Sequence, residues 1–264
     1  MNLLSASAIR ESLDTALVGQ NVVYLPVTGS TNQEARWLAE AGAPEGTLVI
    51  ADHQTAGRGR LGRRWEAPRG SSLLMSLLFR PSLAPHQIPW LTMICGLAVA
   101  DAVESETGLR VALKWPNDLV VGQAKAGGIL TEIAVTGNQV DYAIVGIGLN
   151  VNLDPARLPG GLLTAATSLS HALGRPVARL SLLRALLHAV ERRYELLKAG
   201  HSPCQEWAER LVTLGKPVTV STTTAVWDGV AEGVDADGAL LVRLADGRLQ
   251  AILAADVRSN ALAP

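Results

Sequence analysis

Apolar positions along this chain follow two rhythms, and each implies a different element. Between residues 179 and 199, Leu180, Leu183, Leu187, Val190, Tyr194 and Leu197 recur at three- and four-residue spacing, as on a helix with one buried face. Gly200 stops it. Residues 88–106 are apolar with little interruption and run to Gly108, which predicts a core helix. Residues 5–18 and 202–211 predict two more. A further helix starts at Ser30-Thr31-Asn32-Gln33-Glu34, where Thr31 and Glu34 have capping-box spacing. Ala35, Leu38 and Ala39 give it an apolar face, and Gly42 with Pro44 ends it. The second rhythm is that of strands, expected over 21–25, 47–52, 71–80, 111–115, 128–135 and 140–151. The last two flank Thr-Gly-Asn-Gln and predict a hairpin.

Beyond residue 212 the texture changes. Short strand patterns over 217–222, 225–234, 239–244 and 248–253 are punctuated by the turn signals Asp237-Gly238 and Asp246-Gly247. They predict a small β-barrel appended to an α+β domain, with domains at 1–212 and 213–264. No internal repeat or low-complexity segment interrupts either part.

Composition narrows the class. Hydrophobic residues make up 48% of the 264, as in an ordinary globular protein. The formal net charge of −1 argues against general nucleic-acid or membrane binding. Arg10, Glu11 and Asp14 break up the first twenty residues, so no secretory signal is expected. The longest apolar stretch, 91–103, holds Gly96 and Asp101 and is too short to cross a bilayer. Cys95 and Cys204 lack metal-ligand or redox spacing. A cytoplasmic protein is expected. The segment before Ser30 is too short for a helix-turn-helix domain, so no DNA binding is expected either. Of the 23 basic residues only four are lysines, and two of those, Lys114 and Lys125, lie close together.

Candidate chemistry concentrates in residues 52–65, Asp-His-Gln-Thr-Ala-Gly-Arg-Gly-Arg-Leu-Gly-Arg-Arg-Trp. Glycines let backbone N–H groups turn toward an anion, and arginines add planar, permanent charge. The loop is neither a Walker P-loop nor a dinucleotide fingerprint, because the spacing fits neither. Read alone, it is an anion-binding loop or a solvated basic patch. Ser30, Thr31 and Asn32 are helix caps or short polar ligand contacts. Asp118 is a turn cap, a partner of Lys114, or an acid-base group.

Five segments stand in series: Gly29-Ser30-Thr31-Asn32, Gln54-Thr55-Ala56-Gly57-Arg58-Gly59-Arg60, Lys114-Trp115-Pro116-Asn117-Asp118, Lys125-Ala126-Gly127-Gly128-Ile129-Leu130 and Gly146-Ile147-Gly148-Leu149-Asn150. Together, in this order, the chain resembles the biotin protein ligases, the biotin–[acetyl-CoA-carboxylase] ligase family, in its monofunctional form without an N-terminal DNA-binding domain. The resemblance runs from about Ser30 to Asn152 and more loosely over the C-terminal part. It implies a mixed, mainly antiparallel sheet with helices on one side, related to class II aminoacyl-tRNA synthetases, followed by an SH3-like barrel.

The resemblance also implies residue roles. Ser30, Thr31, Asn32 and Gln54 would contact the ureido ring of biotin, a neutral group that needs both donors and acceptors. Arg58, Gly59, Arg60, Lys125, Gly128, Gly146 and Gly148 would complete the biotin site. Arg58, Arg60, Trp65, Asn117, Lys125 and Asn150 would bind nucleotide. Arg58, Lys125 and Asp118 would be catalytic, with Arg58 and Lys125 between the biotin carboxylate and the α-phosphate, and Asp118 beside the incoming amine. Lys125-Ala126-Gly127-Gly128 stands where Lys-Leu-Ala-Gly is the commoner pattern. Arg63 and Arg64 are expected in solvent or against the acceptor protein. ATP and biotin would be substrates, with Mg2+ held mainly through phosphates and no protein metal cage. The acceptor would be a lysine on a biotin carboxyl carrier domain. Lipoate attachment, and a nucleic-acid-binding or regulatory role, are the alternatives. The Gly-Arg-Gly-Arg loop and Lys-Trp-Pro-Asn-Asp favour biotin over the first, and the near-zero net charge opposes the second.

Overall fold

In the computed structural model, which describes residues 4–157, 165–222, 224–253 and 255–259, strands and helices alternate through the first two hundred residues. In chain order they are α1 (Ala6–Glu11), β1 (Val22–Leu25), α2 (Thr31–Glu40), β2 (Leu48–Ala51), β3 (Ser72–Phe79), α3 (Pro89–Thr107), β4 (Ala112–Lys114), β5 (Asp118–Val121), β6 (Ala124–Thr136), β7 (Gln139–Asn150), α4 (Leu169–Leu173), α5 (Arg179–Lys198) and α6 (Cys204–Glu209). Then come β8 (Pro217–Ser221), β9 (Val226–Val234), β10 (Leu240–Leu244), β11 (Leu249–Ile252) and β12 (Asp256–Ser259).

The main sheet has the order β1-β2-β3-β7-β6-β5-β4. Only β1 and β2 run parallel; the other neighbours are antiparallel. Strand alternation splits β3 between two faces. Leu73, Met75, Leu77 and Phe79 join the main core with residues of α3 and α5. Leu78 joins Val49, Ile144 and the α2 residues Ala35 and Ala39 in a smaller cluster. The sheet is therefore covered on both faces, and α2 lies opposite the other large helices. Helix α3 is apolar all round because it is enclosed, with buried residues from Leu91 to Val103. By length and composition its segment would suit a bilayer, but most of it is buried inside the fold.

Local chemistry corrects several expected boundaries. The first helix ends at Glu11 instead of continuing to residue 18. The backbone N–H groups of Ala16, Leu17 and Val18 instead donate to the carboxylate of Glu191 on α5, at 2.6–2.7 Å. Strand β5 was not expected, because four residues after a Pro-Asn turn give too short a pattern. Strand β6 starts at Ala124, four residues early, so Lys125 lies within it. Strand β12 was also missed, and it pairs with β8.

The C-terminal strands form a second, antiparallel sheet in the order β11-β10-β9-β8-β12. Its interior residues Val218, Val220, Leu240 and Val242 belong to the same buried cluster as the main core. Tryptophans clamp the two parts together: Trp115 Nε1 donates to the Gly238 carbonyl and Trp90 Nε1 to that of Ala236, both at 3.0 Å.

Candidate active site

Strand register puts the site on the α2 face of the main sheet. Gly148 pairs with Gly128 on β6 and with Leu74 on β3, and Gly146 pairs with Leu130 and Ser76. Residues of the same parity therefore face α2: Ser72 and Ser76, Gly128 and Glu132, Gly146, Gly148 and Asn150. Their odd-numbered neighbours Ile129, Ile147 and Leu149 point into the core. The glycines keep this face low. A methyl group on Gly146 would overlap the Asn32 amide, and one on Gly148 would stand 2.7 Å from the indole of Trp65.

Above this floor opens a cavity of about 470 Å3. It is lined by every candidate residue: Ser30, Thr31, Asn32, Gln54, Arg58, Gly59, Arg60, Trp65, Asn117, Asp118, Lys125, Gly128, Gly146, Gly148 and Asn150. Segments from Ser30 near the start of the chain to Asp256 and Val257 near its end converge here.

The start of α2 supplies one wall. The expected Thr31–Glu34 capping box does not form, because the helix begins one residue earlier, with Ser30 as its N-cap. Gln54, from the far side of β2, caps the helix instead. Its Oε1 accepts from the Thr31 N–H at 2.7 Å and from Thr31 Oγ1 at 3.1 Å. Glu34 takes a hydrogen bond from Thr28 Oγ1. Ser30 makes no side-chain capping bond. Asn32, 4% exposed, is held at both ends of its amide. Its Oδ1 lies 2.6 Å from Ser76 Oγ, and its Nδ2 donates to Glu132 Oε2 at 2.8 Å.

The Gly/Arg loop supplies the opposite wall and folds back on itself. The Gly59 N–H donates to the Arg63 carbonyl and the Trp65 N–H to that of Gly57. Leu61 and Gly62 take positive φ at the tip, 55° and 73°. Gly59 is extended, and a methyl group there would meet only ordinary contacts at 3.7 Å. Gly57 has no such room: its methyl would stand 2.5 Å from the Trp65 carbonyl.

The arginines all have partners. Arg58 Nη2 lies 3.5 Å from Glu132 Oε1. Arg60 donates to the Ala255 carbonyl at 3.2 Å, and burial lowers its pKa despite the nearby Asp256 charge. Arg64 pairs with Glu66 at 3.5 Å. Arg63 pairs with Asp256 of β12, so the expectation that it stands in solvent or against another protein gives way to an intramolecular contact.

The third wall is the β4–β5 turn and the start of β6. Lys125 Nζ bonds Asp118 Oδ1 at 2.5 Å and lies 5.8 Å from the centre of the Trp65 ring. Asp118 thus pairs with Lys125 and not Lys114. Asn117 Nδ2 donates to the Ile129 carbonyl at 2.6 Å, and Asn150 Nδ2 to that of Thr167 at 3.1 Å. Both amides tie the wall together. The Trp65 indole N–H is buried without a partner among the described residues.

Sequence reasoning missed Ser76, Glu132 and Asp256. Ser76 and Glu132 are polar residues beside apolar neighbours in Met75-Ser76-Leu77 and Glu132-Ile133, and they share a strand face with Ser72 and Gly128, a signal that alternation would have exposed. Asp256 carried no local signal. Among the described residues no group of three or more histidines, cysteines and carboxylates stands together to hold a metal ion.

Residues 24–150 match the model of the biotin/lipoate A/B protein ligase family, and residues 213–258 match that of the biotin protein ligase C terminal domain. The bifunctional ligase/repressor BirA of Bacillus subtilis is 38% identical over 256 residues, covering 96% of this chain and 78% of that protein. The biotin--[acetyl-CoA-carboxylase] ligase of Paracoccus denitrificans is 37% identical over 237 residues, 87% of this chain and 97% of that one. The solved biotin protein ligase of Aquifex aeolicus in complex with biotin and ATP superposes with a TM-score of 0.79 at 29% identity, over 91% of this chain and all of that one.

Proposed function

The chain belongs to the biotin protein ligase family and is an ATP-dependent ligase that activates biotin and transfers it to a carboxylase; we propose here how its residues divide that work. The observation that carries the assignment is the single cavity in which a neutral polar wall meets a cationic one. Ser30, Thr31, Asn32 and Gln54 suit a ureido ring, since hydroxyls and amides satisfy donors and acceptors without charge. Arg58, Arg60 and Lys125 suit the two anions that must approach each other.

In the first step the biotin carboxylate attacks the α-phosphorus of ATP, forming biotinyl-5′-adenylate and releasing pyrophosphate. Arg58 and Lys125 stand where charge builds up between carboxylate and phosphate, and preorganised cations there lower the barrier. Trp65 and the loop close over the intermediate and exclude water. In the second step the acceptor lysine amine attacks the anhydride carbonyl and AMP leaves. A lysine amine, with a pKa of ~10.4, is mostly protonated near neutral pH. When the ligand's anions take Lys125, Asp118 loses its partner and can accept a hydrogen bond from that amine and assist its deprotonation. The carboxylates that line the cavity, Glu66, Asp118 and Asp256, do not stand together as a metal-holding group among the described residues, so magnesium would come held by the triphosphate and not by a protein cage.

Residues 1–212 form the catalytic unit in this reading and 213–264 an accessory one. The enzyme works in a reducing cytoplasm without binding DNA. In support, Cys95 and Cys204 are free and buried, and Arg58, Arg63 and Arg64 are each balanced by a carboxylate. A gel-shift titration with duplex DNA checks the second point, because the Bacillus relative is a ligase and repressor.

The main test supplies ATP with biotin, or ATP with lipoate, and measures pyrophosphate release and then transfer to a biotin carboxyl carrier domain. Turnover with biotin alone is expected. No turnover with biotin, or equal turnover with lipoate, would overturn the reading.

A further inference from the structure

Glu132 lies on β6, on the same face as the glycine floor, and no motif pointed to it. Its two carboxylate oxygens have different partners. Oε2 accepts from Asn32 Nδ2 at 2.8 Å. Oε1 lies 3.3 Å from Arg36 Nη2 and 3.5 Å from Arg58 Nη2. The side chain is 20% exposed, so it sits at the border between the α2 wall and the open cavity.

The first contact, with a longer bond from Nδ2 to the Leu130 carbonyl at 3.3 Å, sets how Asn32 faces its surroundings. An amide has one accepting end and one donating end of nearly the same shape. A carboxylate only accepts, so it holds Nδ2 on its side and leaves Oδ1 to the Ser76 hydroxyl. The second contact gives Arg58 a counter-charge when no anion is bound. Arg58 is 44% exposed, so this pair is weak enough to exchange. After the exchange Glu132 keeps Arg36 and Asn32 and is not left as an unpaired charge.

We propose that Glu132 is a positioning residue with two tasks: it orients Asn32 for the neutral ring of the substrate, and it holds Arg58 until the substrate anions draw it away. This rests on the assignments of Asn32 and Arg58 above. In consequence Arg58 is offered to an incoming nucleotide only against an internal competitor, which disfavours adventitious anions.

Two variants separate the tasks. In Glu132→Gln the amide oxygen still accepts from Asn32, but the charge that holds Arg58 is gone. The biotin KM should stay within about twofold, while the ATP KM at low salt should fall by about two- to fivefold, the size of a partly exposed ion pair, and converge on wild type at high salt. In Glu132→Ala the Asn32 Nδ2 loses its shorter bond as well and keeps only the Leu130 carbonyl at 3.3 Å, and the biotin KM should rise about fivefold or more. Thermal melts and far-ultraviolet circular dichroism establish that both variants are folded. If Ala does not fold, the Gln variant alone decides through its split between the two KM values. An equal rise of the biotin KM in both variants, or an ATP KM in Gln with wild-type value and salt dependence, would overturn the proposal. Wild-type protein that fails to release pyrophosphate from biotin and ATP would instead overturn the functional reading, and this proposal with it.

Discussion

At the scale of residues, Lys125 and Asp118 can be tested apart although they form one ion pair. Lys125→Ala should cripple adenylate formation and leave the protein folded. Loss of a preorganised cation at developing phosphate charge costs about 2.7–4 kcal/mol, roughly 10²–10³ in rate. The pair is partly exposed, so its contribution to stability is small. Near-normal pyrophosphate release by the variant would remove Lys125 from this role. Asp118→Asn keeps the shape but not the charge. Transfer from preformed adenylate should slow in single-turnover assays, and raised pH should partly restore it by deprotonating the amine. An equal loss in both steps would point to a role in the turn.

At the scale of elements, the Gly/Arg loop depends on Gly57 more than on Gly59. A side chain at Gly57 would collide with the Trp65 carbonyl, the group beside the hydrogen bond that closes the loop. Backbone cannot give way as the end of a flexible side chain can. Gly57→Ala should open the loop and let biotinyl-adenylate escape or hydrolyse faster, which a chase experiment measures. Gly59→Ala should behave nearly as wild type, since its backbone is extended and the added methyl finds ordinary contacts. Matching release rates for the two variants would contradict this account of the loop.

At the scale of the whole molecule, the N-terminal segment is fastened to α5 by Glu191. Burial alone would raise the pKa of this carboxyl, but hydrogen bonds from the Ala16, Val18 and Leu17 N–H groups outweigh it and hold the group below the ordinary glutamate value. A lowered folded-state pKa means the unfolded chain binds the proton first as pH falls. The stabilisation is therefore fully present above the ordinary glutamate pKa and is lost as pH falls through the lowered one. Glu191→Gln should reduce the melting temperature at neutral pH and flatten the acid limb of the stability curve. An unchanged acid limb would show that the three bonds contribute nothing. The same scale joins the two parts of the chain: Arg63 pairs with Asp256, Arg60 bonds the Ala255 carbonyl, and both parts share one buried cluster.

Sequence alone determined what depends on neighbours along the chain. The three- and four-residue apolar spacing specified α5, the unbroken apolar run specified α3, and the five motifs specified the residues that line one cavity. It misplaced what depends on distant partners. The first helix does not run on to residue 18, and Glu191, far along the chain, offers the N–H groups of Ala16, Leu17 and Val18 a carboxylate instead. Helix α2 is capped by Gln54 and not by its own Glu34. Strands β5 and β12 are too short to announce themselves and exist because β6 and β8 stand ready to pair with them. Which carboxylate answers which cation was likewise decided in three dimensions: Lys125 found Asp118, Arg58 found Glu132, and Arg63 found Asp256. Hydrogen-bond and charge satisfaction is a property of what lies within a few ångströms, and only the folded sheet sets those distances.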